Sequence, residues 1–390
     1  MNIDLFSLTK TRLAGGDFTP PPDRQRQIDA LQLIRSARVG PATFHRLMTE
    51  YGEAAAAIRA LPEIAAAAGV RDYAPCPPGV AQAEWNAGTK SGAQLLVYGA
   101  PNYPCSLMGL PDAPAVLWAQ GRLDLLARPM VALVGARNAS SLGLRMARKL
   151  AEGLAQAGVV VVSGLARGID AAAHGGALTG GTIAVLAGGI GVIYPAENAK
   201  LADKIARQGL CLSEQPPGLA PQARHFPIRN RIVSGLSQAV IVVEAAARSG
   251  SLLTARDAAD QGRDVMAVPG HPFDARTAGC NMLLRDGATL IRGVDDVLEA
   301  LSPLLGQSGW ATPQAAPSPP VPEENGRPPT ITAPDELSTR ILECLGPSPL
   351  PEDLLIRDLG VPPDRMAAAL LTLELEGRVQ RHPGGLLTLG

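Results

Sequence analysis

The stretch Val131-Ala132-Leu133-Val134-Gly135-Ala136-Arg137-Asn138-Ala139-Ser140-Ser141-Leu142-Gly143 decides the fold. Four consecutive apolar residues are the pattern of a strand buried on both faces. Gly135 then permits a tight turn, and Leu144, Ala147, Leu150 and Leu154 follow at helical spacing. The same unit recurs downstream: Val159 to Val162, Ile183 to Ala187, Ala239 to Val243 and Val265 to Val268 are short apolar runs, each followed by a polar or glycine-rich loop and a helical stretch. Such alternation predicts a parallel sheet covered by helices on both faces. Right-handed crossovers gather the loops at the carboxyl edge of that sheet.

On either side of this α/β, Rossmann-like region the pattern changes. Residues 1–24, with Pro20, Pro21 and Pro22, read as a lead-in. Residues 25–80 read as a small helical domain: Ile28, Leu31, Leu33 and Ile34 mark one helix and Phe44, Leu47 and Met48 another, with Val39-Gly40-Pro41 between them. A Gly-Pro turn between short helices resembles a helix-hairpin-helix or sterile-alpha-motif-like unit, and simple helical packing is the alternative. Pro41 would remove one of the amides through which such a turn grips nucleic acid. The sheet domain takes 81–302, with two further strands, Gln94 to Tyr98 and Ala115 to Trp118, as an extension at its edge. Eight prolines between Pro303 and Pro329 make 303–334 a linker. In 335–390 three helical stretches, the last opened by Pro363, and a hairpin broken at Pro383-Gly384-Gly385 predict a winged helix.

Four loops at the predicted sheet edge carry more than turn chemistry. Gly135 to Ser141 joins a buried strand to a helix amino terminus, which offers unpaired amides to an anion, and Arg137 adds a forked charge suited to phosphate. The next glycine is Gly143, so the dinucleotide fingerprint is missing. Ser163-Gly164-Leu165-Ala166-Arg167-Gly168-Ile169-Asp170 repeats the combination with Arg167. Gly188-Gly189-Ile190-Gly191 leads to Tyr194-Pro195, and Arg248-Ser249-Gly250-Ser251, followed by Thr254, can form a nest of amide donors. Any one of these is explained by a capped turn; four converging on one edge are better read as an elongated anion site. Arg224 to Arg231 adds Phe226, Arg229, Asn230 and Arg231, with no acidic residue between Ala223 and Ser237. That cluster favours a strand over a dinucleotide, although Arg229 and Arg231 could face opposite sides of a turn.

Catalytic machinery is sparse. His174 lies four residues from Asp170 and could pair with it on a helix face, but a histidine among alanines is more often a packed or capping residue. No Ser-His-Asp arrangement, metal-ligand spacing or phosphate-loop lysine motif occurs, so neither a cofactor nor a metal is expected. Only 3% of residues are aromatic, and formal net charge is -1, so a global basic signature is lacking. Its distribution is uneven: residues 129–300 hold 17 Lys+Arg against 14 Asp+Glu, and 335–390 hold 5 against 9. A polyanion should therefore meet the middle of the chain, and the acidic winged helix should serve protein contacts or self-association. The five cysteines have no paired spacing, and no run of about 18 apolar residues appears. A cytoplasmic location without membrane attachment is expected.

Taken in order, GARNASSLG from Gly135, SGLARGID from Ser163, GTIAVLAGG from Gly181, SEQPPG from Ser213, FPIRNRIVSGL from Phe226, EAAARSGSLLTA from Glu244 and GRDVMAVPG from Gly262 resemble the DNA-processing protein A family, also called Smf. The resemblance implies a non-enzymatic protein that binds incoming single-stranded DNA during natural transformation, displaces single-strand-binding protein, and loads the RecA recombinase. It implies a homodimer made through the Rossmann-like domain. Its phosphate pocket falls on Gly135, Arg137, Ser163, Gly164, Phe226, Arg229, Asn230, Arg231, Ser249 and Gly250, with Thr254 beside them. Members often carry a basic residue after the Tyr-Pro pair and an aspartate before it, where this chain has Ala196 and Gly191, so binding should lean on Arg137 and Arg167. The competing reading is a nucleotide-processing enzyme of related fold, a nucleoside-monophosphate phosphoribohydrolase. Its Pro-Gly-Gly-x-Gly-Thr loop is replaced here by Ala247-Arg248-Ser249-Gly250-Ser251.

Overall fold

The computed structural model describes residues 23–307 and 334–390. Most of the lead-in and of the proline-rich linker lie outside the described residues. The chain divides into two compact units: residues up to 86 with 95–103 and 112–116, and the remainder.

In the first unit, helices Arg24–Ile34, Pro41–Tyr51 and Ala54–Ala67 are followed by Pro78–Lys90, which runs out of the unit. Asp23 caps the first by accepting the Arg26 amide at 2.8 Å, and Pro41 sits at the second helix's first turn, where a missing N–H leaves no bond unmade. Ile28, Leu31, Leu33, Phe44, Leu47, Ala57 and Leu61 are buried together at this spacing. A bidentate Arg35–Glu84 pair at 2.9 Å ties the first helix to the fourth.

The second unit is built on a sheet. The strands of the sheet, in chain order, are β1 Gln94–Val97, most of which falls in the first unit, β2 Val116–Gly121, β3 Met130–Val134, β4 Val160–Ser163, β5 Thr182–Val185, β6 Leu210–Ser213, β7 Ala239–Val242, β8 Asp264–Ala267 and β9 Thr289–Leu290. The spatial order is β1-β2-β6-β5-β4-β3-β7-β8-β9, parallel from β6 to β9, with β2 antiparallel to β6. β3, β4, β5 and β7 are wholly buried, which is why Val, Ile, Leu and Ala dominate them. From β3 the chain winds outward to β6, then returns to place β7 on β3's other side. Loops after β3 and β7 consequently diverge, which opens a crevice at the switch point where α/β sheets bind ligands. Helix Ser141–Gln156 begins at this edge; the Ser140 hydroxyl accepts the Gly143 amide at 3.0 Å, a cap that contributes about 1 kcal/mol. Its face Ala147, Leu150, Ala151 and Leu154 packs on β3 and on helix Ile169–Ala177.

The winged helix consists of helices Pro334–Cys344, Glu352–Leu359 and Pro363–Leu375 with β10 Leu350–Pro351, β11 Val379–His382 and β12 Leu386–Leu389. Its sheet runs β10-β12-β11, all antiparallel, over a core of its own that includes Leu337, Ile341, Leu355, Met366 and Leu370.

Candidate functional site

Three loops of the second unit enclose a cavity of about 250 Å³ at the carboxyl edge of β3, β4 and β5. The β3 loop gives Arg137, the β4 loop Gly164, Ala166 and Arg167, and the β5 loop Leu186 to Gly188 and Val192 to Glu197, with Pro221 and Phe226 closing the far wall. Arg137 is exposed, and its guanidinium carbon lies 5.3 Å from the centroid of the Phe226 ring. Phe226 in turn meets Tyr194 edge to face at 5.8 Å and 67°. Two of the chain's few aromatic rings and one cation thus share a wall. Tyr194 is 57% exposed, so its face is open to a planar ligand.

The walls are set by buried bonds. In the β4 loop the Ser163 hydroxyl donates to the Leu133 carbonyl at 2.6 Å. Asp170 accepts the amides of Gly164 at 3.1 Å and Ala166 at 3.3 Å, and Asn198 Nδ2 donates to the carbonyls of Leu165 and Ala166. Leu165 is held in the left-handed region at φ 57°, a strain that this bonding sustains. Gly168, at φ 72°, lets the loop pass against the Arg137 carbonyl, where a Cβ would come within 2.5 Å. The Gly164 amide is therefore committed to Asp170 and is not the open phosphate donor that its glycine suggests.

Arg229 is a bolt, 7% exposed, whose Nη1 donates to the carbonyls of Gly164 and, at 2.7 Å, Val185. Burial lowers its pKa while the Asp170 charge opposes the shift; burial likewise raises the Asp170 carboxyl, with Arg229 and the loop amides pulling it down. A side chain at Gly164 would collide with the guanidinium. Arg231 faces elsewhere, where its Nη2 donates to both carboxylate oxygens of Glu214 at 2.8 and 2.9 Å, each side chain 12% exposed. The apparent excess of positive charge after Ala223 is thus offset by a carboxylate from the loop after β6. Asn230 accepts the Arg229 Nε at 3.2 Å. Of the arginines in the Phe226–Arg231 cluster, neither lines the cavity.

Arg167 reaches Glu197 at 3.9 Å, both side chains 52% exposed, a loose and well-solvated pair. Glu197 was not among the residues singled out from the sequence; it stands two positions beyond Pro195, so the cavity carries an acid just past Ala196. Gly135 abuts Ile169 and the Glu244 carbonyl beneath the β3 loop.

Arg248, Ser249, Gly250 and Thr254 lie outside this lining, on the β7 side of the switch. Arg248 and Gly250 are exposed, the Ser249 and Ser251 hydroxyls bond at 2.7 Å, and Thr254 is buried. Buried Glu244 joins that side to the β3 loop: it accepts the Ser140 amide at 2.9 Å and the Ser140 hydroxyl, and burial raises its pKa. The Asp170–His174 pair weighed from the sequence gives way to Asp170 serving its loop, while His174 Nδ1 meets Thr182 Oγ1 at 2.7 Å. Thr182 spends its proton on the Val161 carbonyl, so His174 donates, and burial pushes its pKa down to about 3. Among the described residues no group of His, Cys, Asp or Glu is placed to hold a metal ion, and no helix is long and apolar enough to cross a membrane.

Residues 94–302 match the family model described as DNA recombination-mediator protein A. Residues 24–87 match a DprA-like N-terminal HHH domain and 313–385 a DprA winged helix domain. The DNA processing protein DprA of Streptococcus pneumoniae is 48% identical over 198 residues, 50% of this chain and 70% of that protein. The X-ray structure of DprA from Streptococcus pneumoniae aligns with TM-score 0.60 and 38% identity, over 70% of this chain and 97% of the other. A DNA processing protein A from Helicobacter pylori, whose single-stranded DNA binding mode has been described, aligns with TM-score 0.50 and 33% identity, over 54% of this chain and 96% of the other.

Proposed function

Since the chain belongs to the DNA recombination-mediator protein A family, we propose that it binds single-stranded DNA in the Arg137–Tyr194–Phe226 cavity and acts as a recombination mediator. The observation that carries this reading is the shared wall of cation and aromatic rings at the sheet edge. Arg137 supplies a charge-assisted, forked contact to one phosphate, and the open face of Tyr194 and the Phe226 ring supply stacking, which every base accepts. A cavity of about 250 Å³ walled by aromatic rings suits an unpaired base, whose face a stacked duplex would hide, so preference for single strands over duplex is expected. Binding should be sequence-tolerant and salt-sensitive.

The buried bonds of Asp170, Arg229 and Glu244 support a site preorganised before the strand arrives, which spares the ordering cost of binding. The sheet edge supports positioning rather than bond cleavage: the histidine beside the cavity, His225, next to Phe226, has its Nδ1 occupied by the Gln222 amide, and burial lowers its pKa. Loading of RecA, displacement of single-strand-binding protein, homodimerisation and a role in taking up DNA rest on family membership. Recombinase filament formation on strand precoated with single-strand-binding protein tests the first two, and sedimentation the third.

The direct test is a fluorescence anisotropy titration of an oligothymidylate with wild type and Phe226→Ala. Loss of stacking is expected to weaken binding by about 1–3 kcal/mol, with duplex affinity unchanged. Equal affinity of wild type for strand and duplex, or release of free base from nucleoside monophosphates, would count for the enzyme reading instead.

A further inference from the structure

The winged helix rests on the sheet domain through charge rather than through a shared core: the buried apolar residues 337–387 form one cluster and 131–301 another. Arg276, held by Asp274 at 3.0 Å, donates to the backbone carbonyls of Glu343 at 2.5 Å and Leu345 at 2.6 Å. Those carbonyls end helix Pro334–Cys344, where unpaired acceptors and the helix dipole present negative charge. A second contact joins Arg145 Nη1 to Asp358 Oδ2 at 3.3 Å, the side chains 25% and 15% exposed. Arg276 and Asp274 line a narrow seam together with Ser140, Leu142, Cys344 and Gly346.

Both arginines stand beside the loop that carries Arg137. Arg145 is one helical turn, about 6 Å, beyond Ser141, and Arg276 shares the seam with Ser140. The part of the chain that covers them is the acidic one, 5 Lys+Arg against 9 Asp+Glu in 335–390.

We propose that the winged helix is an intramolecular mask. The Asp358 carboxylate and the helix-end carbonyls hold Arg145 and Arg276 in place of strand phosphates, so a docked winged helix and a strand extending past Arg137 compete for the same cations. The proposal rests on the strand-binding reading above and adds its regulation. Undocking lengthens the phosphate track by two arginines, and removing the contact from the winged-helix side tightens binding.

Two full-length variants test it. Asp358→Arg repels Arg145, and Gly346→Val keeps the chain's charge while its Cβ comes 2.9 Å from the Arg276 guanidinium. Docking is read by maleimide labelling of Cys344 in the seam, mapped by peptide mass, with exposed Cys105 as the internal standard. Both variants should label faster at Cys344 and bind an oligothymidylate about three- to tenfold more tightly, the gain expected from phosphate contacts regained. Saturating oligonucleotide should also accelerate Cys344 labelling in wild type. Fast labelling with wild-type affinity in both variants would overturn the mask, as would wild-type labelling that ignores bound strand or variants that label no faster. Absence of strand binding in wild type and both variants would instead overturn the strand-binding reading and the mask with it. Binding by the variants alone would support the mask in its strongest form.

Discussion

Replacing Arg137 with alanine removes the cation of the cavity that is exposed and stacked on an aromatic ring. A hydrogen bond to a charged group contributes about 1.5–3 kcal/mol. At about 1.4 kcal/mol per decade this predicts roughly 10- to 150-fold weaker binding of single strand. Stacking of Arg137 on Phe226 exists before binding, so its loss changes preorganisation rather than adding a separate contact. One phosphate contact fewer should also reduce the slope of log affinity against log salt by about 0.7. Arg137→Lys separates the two contributions: charge is kept, so the salt slope should hold, while the fork and the stacked plane are lost and affinity should fall between the other two. Anisotropy titrations of an oligothymidylate at four salt concentrations measure both quantities, with a thermal melt confirming that each variant folds. Arg137→Ala within twofold of wild type at every salt concentration would refute the placement of the phosphate.

Three further outcomes are expected. Glu197→Gln removes the acid from the cavity and frees Arg167 from a half-exposed pair, so strand affinity should rise about two- to fivefold, in keeping with the ~0.5–1 kcal/mol of a surface pair; unchanged affinity would place the strand away from Arg167. Gly168→Ala forces a side chain into the left-handed region and against the Arg137 carbonyl, so a loss of at least ~1–2 kcal/mol in denaturant melts is expected, with strand affinity reduced because the Arg137 loop shifts. His174 has its folded pKa depressed to about 3 from an ordinary value near 6.5, so the unfolded chain takes up the proton first. Its contribution is complete above about pH 6.5 and is lost as pH falls toward 3, by up to ~1.4 kcal/mol per pH unit. His174→Gln should flatten melting temperature against pH in that window; an unchanged profile would show that another group governs acid sensitivity.

The strands that could be read from the sequence are those buried on both faces, because burial leaves an uninterrupted apolar run: Val131 to Val134 and Ala239 to Val243 lie within one residue of β3 and β7. β6 escaped because Leu210-Cys211-Leu212-Ser213 is four residues following a helix whose amphipathic pattern dominates the window. β9, two residues at the edge, has no period to detect. The glycine loops were legible as loops, but their partners were not. Glu214 reaches Arg231 across 17 positions and Glu244 reaches Ser140 across 104, so a local count of charge sees a cluster where the fold makes pairs. Glu197 carried a signal that was passed over: an acid immediately beyond Tyr194-Pro195-Ala196, where a base was sought.

The Arg229 guanidinium occupies the space that any side chain at Gly164 would need, and it also neutralises Asp170. These three positions, on one loop and two helices, therefore form one unit of inheritance. An alanine at 164 demands a shorter residue at 229, and a shorter residue at 229 strands a buried carboxylate at 170, a step that costs about 3–5 kcal/mol. Lineages that alter the floor of this cavity should alter all three together, through intermediates too unstable to persist, and most should not alter it at all.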